Sequence, residues 1–239
     1  MRTAINYQLT GIKRPLMIFY IVIYSIYLLT IILVNIPLYG ENVSFMGGME
    51  NSSMIFIFIL GLNLFKESFY MFLQNSRSRK QLFVSTIATI TVTAGAMSLI
   101  DNVNALIASS ISPYQSAFLQ YYGTSVSGSA WVFTSFLWST AIYAALGMIG
   151  YFITLGYYHM NKLAKILVSV GVPVFFFMIL PIIDSIFTNG SIYRAIGKFI
   201  LLIIGYHNGP YAVVLSCVTA FVLFGGLCWL MVRRATAKE

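Results

Sequence analysis

A chain of 239 residues that is 59% hydrophobic and only 8% charged lacks the polar surface that a water-soluble domain needs. Its solvent is lipid. The formal charge of +8 therefore reads as membrane topology, and no nucleic acid is expected as a partner.

Residues 1–15 read as an amphipathic N-terminal arm holding Arg2, Lys13 and Arg14. Six apolar runs follow, at 16–38, 53–65, 82–107, 131–151, 166–187 and 210–232. Each lies near the roughly 20 residues that cross about 30 Å of hydrocarbon. The first is longer than a signal-peptide core, and no small-residue cleavage site follows it. The second reaches spanning length only by running on toward Leu73.

Between runs two and three lies the one dense patch of charge, residues 66–83, KESFYMFLQNSRSRKQLF. As a helix it places Phe69, Phe72 and Leu73 on an apolar strip. Asn75 and Ser76 are turn residues, and Arg77, Arg79 and Lys80 cluster at the break. A helix leaving the membrane, a tight turn and a re-entering helix is the expected shape. Two readings stay open: a positive loop resting on lipid headgroups, and a knob that docks into a protein groove.

Run three carries Ser85, Thr86, Thr89 and Thr93 on one helical face. Packing between helices by small hydroxyl residues is one reading, and a polar lining for a translocation route (Ser85, Thr89, Thr93) is the other. Residues 101–130 form a Ser-rich connection with Pro113 and several tyrosines. These, with Trp131, suit an interfacial belt. In run four, Ala141, Ala145, Gly147 and Gly150 predict close approach of another helix. Run five contains Gly171, Pro173 and Pro181, which predict a kink. Residues 189–208 are apolar but carry Arg194 and Lys198, and read as an outer interfacial or re-entrant helix. In run six, Cys217 and Cys228 are about 16 Å apart along a helix and do not bridge each other.

Every Lys and Arg except Arg194 and Lys198 falls on one side of this arrangement. Cytoplasmic loops collect such residues, so both termini are expected in the cytoplasm. The fold class is an all-α integral membrane protein of six transmembrane helices, one domain over 1–239. A short coupling helix would lie between helices 2 and 3.

Chemistry within the bilayer is poorly provided for. No HExxH motif is present, and His159 and His207 fall at opposite ends of the bundle. Val126-Ser-Gly-Ser lacks the leading glycine of a rhomboid-type nucleophile. Asp101 and Asp184 lie toward outer helix ends and read as interfacially solvated. No enzymatic activity is expected of the chain.

Three features carry a family resemblance. They are Phe65-Lys-Glu-Ser-Phe, the run Leu73-Gln-Asn-Ser-Arg-Ser-Arg-Lys-Gln-Leu-Phe, and the basic ending CWLMVRRA around Trp229. With the six-span layout, they resemble the membrane subunit of a type-2 ATP-binding-cassette (ABC) exporter, a small permease of Gram-positive type. Ser76 stands where related chains often have glycine. The resemblance implies that residues 66–83 form a coupling region, with Glu67, Phe69, Phe72, Asn75, Ser76, Arg77, Arg79 and Lys80 contacting a separate ATPase subunit. ATP and Mg would bind that partner, with no cofactor on this chain, which has no Walker motif. A second permease subunit, identical or a sibling, and the lipid bilayer of the cell membrane complete the expected partners. The expected function is export of a hydrophobic or amphipathic substrate, a peptide antibiotic or drug, by alternating access. The alternative is a non-transporting immunity or scaffold protein that acts by binding a partner in the bilayer.

Overall fold

The structure, a computed structural model, describes residues 2–34, 49–111, 114–123, 130–187, 190–204 and 209–235. Glu41, the Ser-Gly-Ser sequence before Ala130, His207 and Lys238 lie outside the described residues, as do parts of the 101–130 and 189–208 connections. Among the described residues all regular structure is helical.

The order is α1 (Arg2–Val34), α2 (Met49–Gln74), α3 (Arg79–Ile111), α4 (Ala117–Tyr122), α5 (Ala130–His159), α6 (Lys162–Val174), a π-helical turn (Phe175–Ile179), α7 (Leu180–Phe187), α8 (Ser191–Ile204) and α9 (Pro210–Arg234). Six helices are long and apolar enough to cross a membrane, with α6, the π turn and α7 counting as one.

Two helices differ from the expected boundaries in a way that bears on function. The N-terminal arm is not a separate element: α1 is a single helix of 33 residues, about 50 Å long, with Pro15 inside it. Gln8 and Ile12 are buried, so the arm is fixed by packing. Nor does a separate short helix lie between spans two and three. Helix α2 continues to Gln74 and α3 begins at Arg79, leaving a four-residue turn at 75–78. The outer connection also contains a helix among its described residues. Helix α4 forms there, capped by Ser116, whose side chain accepts from Leu119 N.

Helix α5 is the centre, packed against α2, α3 and α9. Tyr143, Met148, Tyr151 and Leu155 of α5 have no solvent exposure. The contact with α2 is made by backbone. A Cβ added to Gly61 would lie 2.1 Å from Gly147 O, and one added to Gly150 would lie 2.4 Å from Phe58 O. The small residues of run four thus serve the predicted close approach, with Ala141 and Ala145 buried beside them.

Span five stands apart. No side chain of α6 or the π turn is buried. At its far end, Asp184 is 2% exposed. It is not solvated at an interface as its position implies. Its carboxylate accepts from Ile192 N at 2.8 Å and Tyr193 N at 3.1 Å, capping the first turn of α8. Tyr193 also donates to Phe176 O within the π turn, at 2.9 Å.

Replacing Gly61 with Ala is expected to lower the thermal stability of the purified protein by about 3 kcal/mol or more, since backbone on both sides must separate. Gly156→Ala, on the central helix α5 with nothing within 4 Å of the added carbon, is expected to be neutral or slightly stabilising. Thermal unfolding of the two variants in one detergent makes the comparison.

Candidate functional site

The turn between α2 and α3 is built by a helix stop and a helix start placed back to back. Arg77 N donates to Phe72 O at 2.9 Å and Ser76 N to Leu73 O at 3.0 Å. This is the Schellman arrangement, whose central residue takes a left-handed conformation. That residue is Ser76, with φ 51°. Glycine meets this requirement with least strain, which gives a physical reason for a glycine or serine at this place. Asn75 Nδ2 donates to Met71 O at 2.8 Å, a second bond to a carbonyl that also accepts from Asn75 N at 3.1 Å. Ser78 then starts α3, its Oγ accepting from Gln81 N at 3.3 Å.

The tip is therefore rigid while being open. Residues 73–80 are all exposed, and they include Arg77, Arg79 and Lys80. Arg79 donates through Nη1 to the carbonyl of Arg233, tying the first turn of α3 to the last turn of α9. Arg233 and Arg234 are exposed beside it. Arg233 lies 6.0 Å from the ring centroid of Trp229, and Trp229 lies 5.2 Å from Phe83. The result is a cationic surface drawn from two helix ends.

The aromatic residues of the patch have another place. Phe69 and Phe72 are 1% and 3% exposed. Phe69 stacks on Phe65 at 5.1 Å and meets Tyr158 of α5 edge-on at 5.6 Å. They anchor the end of α2 in the core and form no part of the exposed tip. Glu67 is exposed, but it faces a groove between α1 and α2 and does not share the tip with Arg77.

The hydroxyl face of α3 is closed. Ser85, Thr86 and Thr89 have no exposure, and Thr93 is buried as well. Thr89 Oγ1 donates to Gln8 Oε1 at 2.9 Å. The Gln8 amide nitrogen donates to Ser68 Oγ at 3.1 Å and lies 3.3 Å from Thr86 Oγ1. Ser85 and Thr86 also return a bond to Leu82 O. Gln8 so ties α1, α2 and α3 together just behind the turn. Nothing local to Gln8 marks it in the sequence; only its place one turn from Ile12 hints at a buried face.

A second polar cluster lies at the opposite end of the bundle. Asp101 is 2% exposed and accepts from Tyr143 OH at 2.7 Å and Tyr20 OH at 3.1 Å. Glu50, 5% exposed, accepts from Ala117 N at 3.1 Å and Tyr114 OH at 3.4 Å. Tyr114 lies outside the spans. Its hydroxyl is pushed well above the usual tyrosine range, first by burial and then by the charge of Glu50, so it stays protonated as a donor. These contacts, not interfacial water, account for Asp101. Among the described residues no three His, Cys, Asp or Glu side chains gather as a metal-ligand set.

Six spans packed in this way make the chain a multi-pass membrane protein. No protein-family model, curated protein or solved structure matches it.

Substitutions at two positions test the local reading. Ser76→Gly is expected to keep or raise the melting temperature, whereas Ser76→Val is expected to lower stability by about 1–2 kcal/mol. Gln8→Leu, which removes a buried three-helix hydrogen-bond hub, is expected to cost about 1–3 kcal/mol by the same thermal measurement.

Proposed function

We propose that this chain is the transmembrane permease subunit of an ABC-type exporter in the cell membrane. The basic end would face the cytoplasm and the 73–80 tip would be its contact with a separate ATPase subunit. One observation carries the reading. The tip is an exposed eight-residue cationic projection that is capped on both helices and tied to α9, so a push on it is passed on and not absorbed. A loop needed only to rest on lipid headgroups requires charge but no fixed geometry. ATP and Mg would bind the partner, and the chain would supply motion of α2 and α3. Arg77 and Lys80 would make the contact. Arg79 would hold the tip to α9, while Phe69 and Phe72 would seat the end of α2.

The substrate class is hydrophobic or amphipathic, moved by alternating access in a pair of permease subunits. Span five, with its apolar side chains unburied, supports a second membrane subunit lying against it. A non-transporting immunity or scaffold protein remains the second reading. The observation that favours it is the hydroxyl face of α3, which is sealed by Gln8 and lines no open route.

The test is whether a Walker-motif ATPase copurifies with the chain from its native membrane. The double variant Arg77→Glu, Lys80→Glu is expected to lower association and ATPase stimulation at least tenfold with an unchanged melting temperature. If the charge-reversed chain assembles and stimulates as the native one does, the exporter reading fails.

A further inference from the structure

A groove of about 490 Å³ runs between α1 and α2, within the size range of sites for drug-sized ligands. It is graded along its length. Toward the basic end polar groups enter the lining, at Thr10, Gly11, Asn63 and Glu67, beside the apolar Ile12 and Leu64. Toward the middle of the spans it is apolar, with Ile59 and Leu60.

Four of the polar groups in the lining offer hydrogen-bond acceptors: Thr10, the Gly11 carbonyl, Asn63 and Glu67. Thr10 Oγ1 donates its proton to Asn6 O at 2.7 Å, leaving lone pairs. Asn63 donates one amide N–H to Ile59 O at 2.9 Å, leaving Oδ1 as an acceptor and a second N–H. Pro15 has no N–H, so the Gly11 carbonyl lacks the donor that an ordinary helix would bring to it. Gly11 also has no side chain to cover that carbonyl, and nothing lies within 4 Å of a carbon added there. Glu67 is the one charged residue in the lining, and it has no ion-pair partner among the described residues. Its neighbour Lys66, and Arg14 on α1, do not line the groove.

Four acceptors, one of them anionic, above an apolar trough describe the complement of a molecule with a cationic N–H head and a hydrocarbon body. We infer that the α1–α2 groove is a binding site for a cationic amphiphile, an alkylammonium-like molecule entering sideways from the leaflet at the basic end. Glu67 and the Gly11 carbonyl receive the ammonium, and Ile59 and Leu60 receive the apolar body. In the exporter reading this names the substrate class, and only the word substrate rests on that reading. Binding itself needs neither the ATPase nor the 73–80 tip.

The experiment uses the full chain in phosphatidylcholine nanodiscs with a photoreactive diazirine derivative of dodecylamine, followed by peptide mapping. Labelling is expected on residues 7–15 and 56–67. Dodecylamine is expected to compete at least tenfold better than dodecanol. Glu67→Gln is expected to reduce that preference to threefold or less, and Gly11→Leu, which fills the groove, to remove the labelling. The elution profile of each variant checks its fold. The inference is overturned by labelling spread evenly over the lipid-facing helices, by equal competition from dodecanol, or by Glu67→Gln leaving the preference intact. It is equally overturned if phosphatidylethanolamine competes as well as dodecylamine, which makes the groove a lipid seat. A Gly11→Cys cross-link that joins two copies and blocks labelling overturns it too, in favour of a subunit interface. None of these results bears on assembly with an ATPase, so the two readings fail separately.

Discussion

The position of everything at the basic end depends on how closely α2 and α5 approach. In a bilayer no hydrophobic effect pulls helices together, so their association depends on packing and on polar contacts. Gly61, Gly147 and Gly150 let the two backbones touch, and the large residues Tyr143, Tyr151 and Phe65 fill the space on either side. Once α2 is set on α5, Phe69 meets Tyr158 and the end of α2 is fixed. The 73–80 tip inherits its place from a contact at Gly61, more than three helical turns away.

Polar groups fasten the bundle at two levels. Behind the tip, Gln8 satisfies Ser68 and Thr89 while holding α1 to the α2–α3 hairpin. At the far end, Asp101 and Glu50 collect donors from α1, α4, α5 and the segment before α4. A buried acceptor left without donors is expensive, so each of these clusters fixes helix rotation as well as distance. Helix α1, which contributes few buried apolar residues, is held mainly by Gln8 and Tyr20.

The sequence allowed the spans to be read because hydrocarbon length leaves few alternatives, and the turn at Asn75 and Ser76 because its residues have strong local chemistry. Gly147 and Gly150 were legible for the same reason: small residues in a membrane helix have a narrow set of uses. The fates of Gln8, Asp101 and Asp184 were not legible. A polar residue near a helix end is equally at home in water or in a buried network, and its partner decides. Gln8 and Thr89 are 81 positions apart, as are Tyr20 and Asp101. The same limit applies to Phe69 and Phe72. Periodicity put them on one strip, but which way the strip faced depended on Tyr158 of a helix that begins some sixty residues later in the chain.

The π turn in span five has a bearing on how the chain tolerates change. It holds one residue more than an α-helical turn would, closed by Leu180 N on Phe175 O. That extra residue sets the angular phase between α6 and α7, and therefore the direction in which Asp184 meets α8 and the carbonyl that Tyr193 finds. A single-residue deletion among the five residues 175–179 would leave the apolar character of the span intact while turning α7 by about 100°. In this segment length is the specified quantity, and the identity of each apolar side chain is comparatively free.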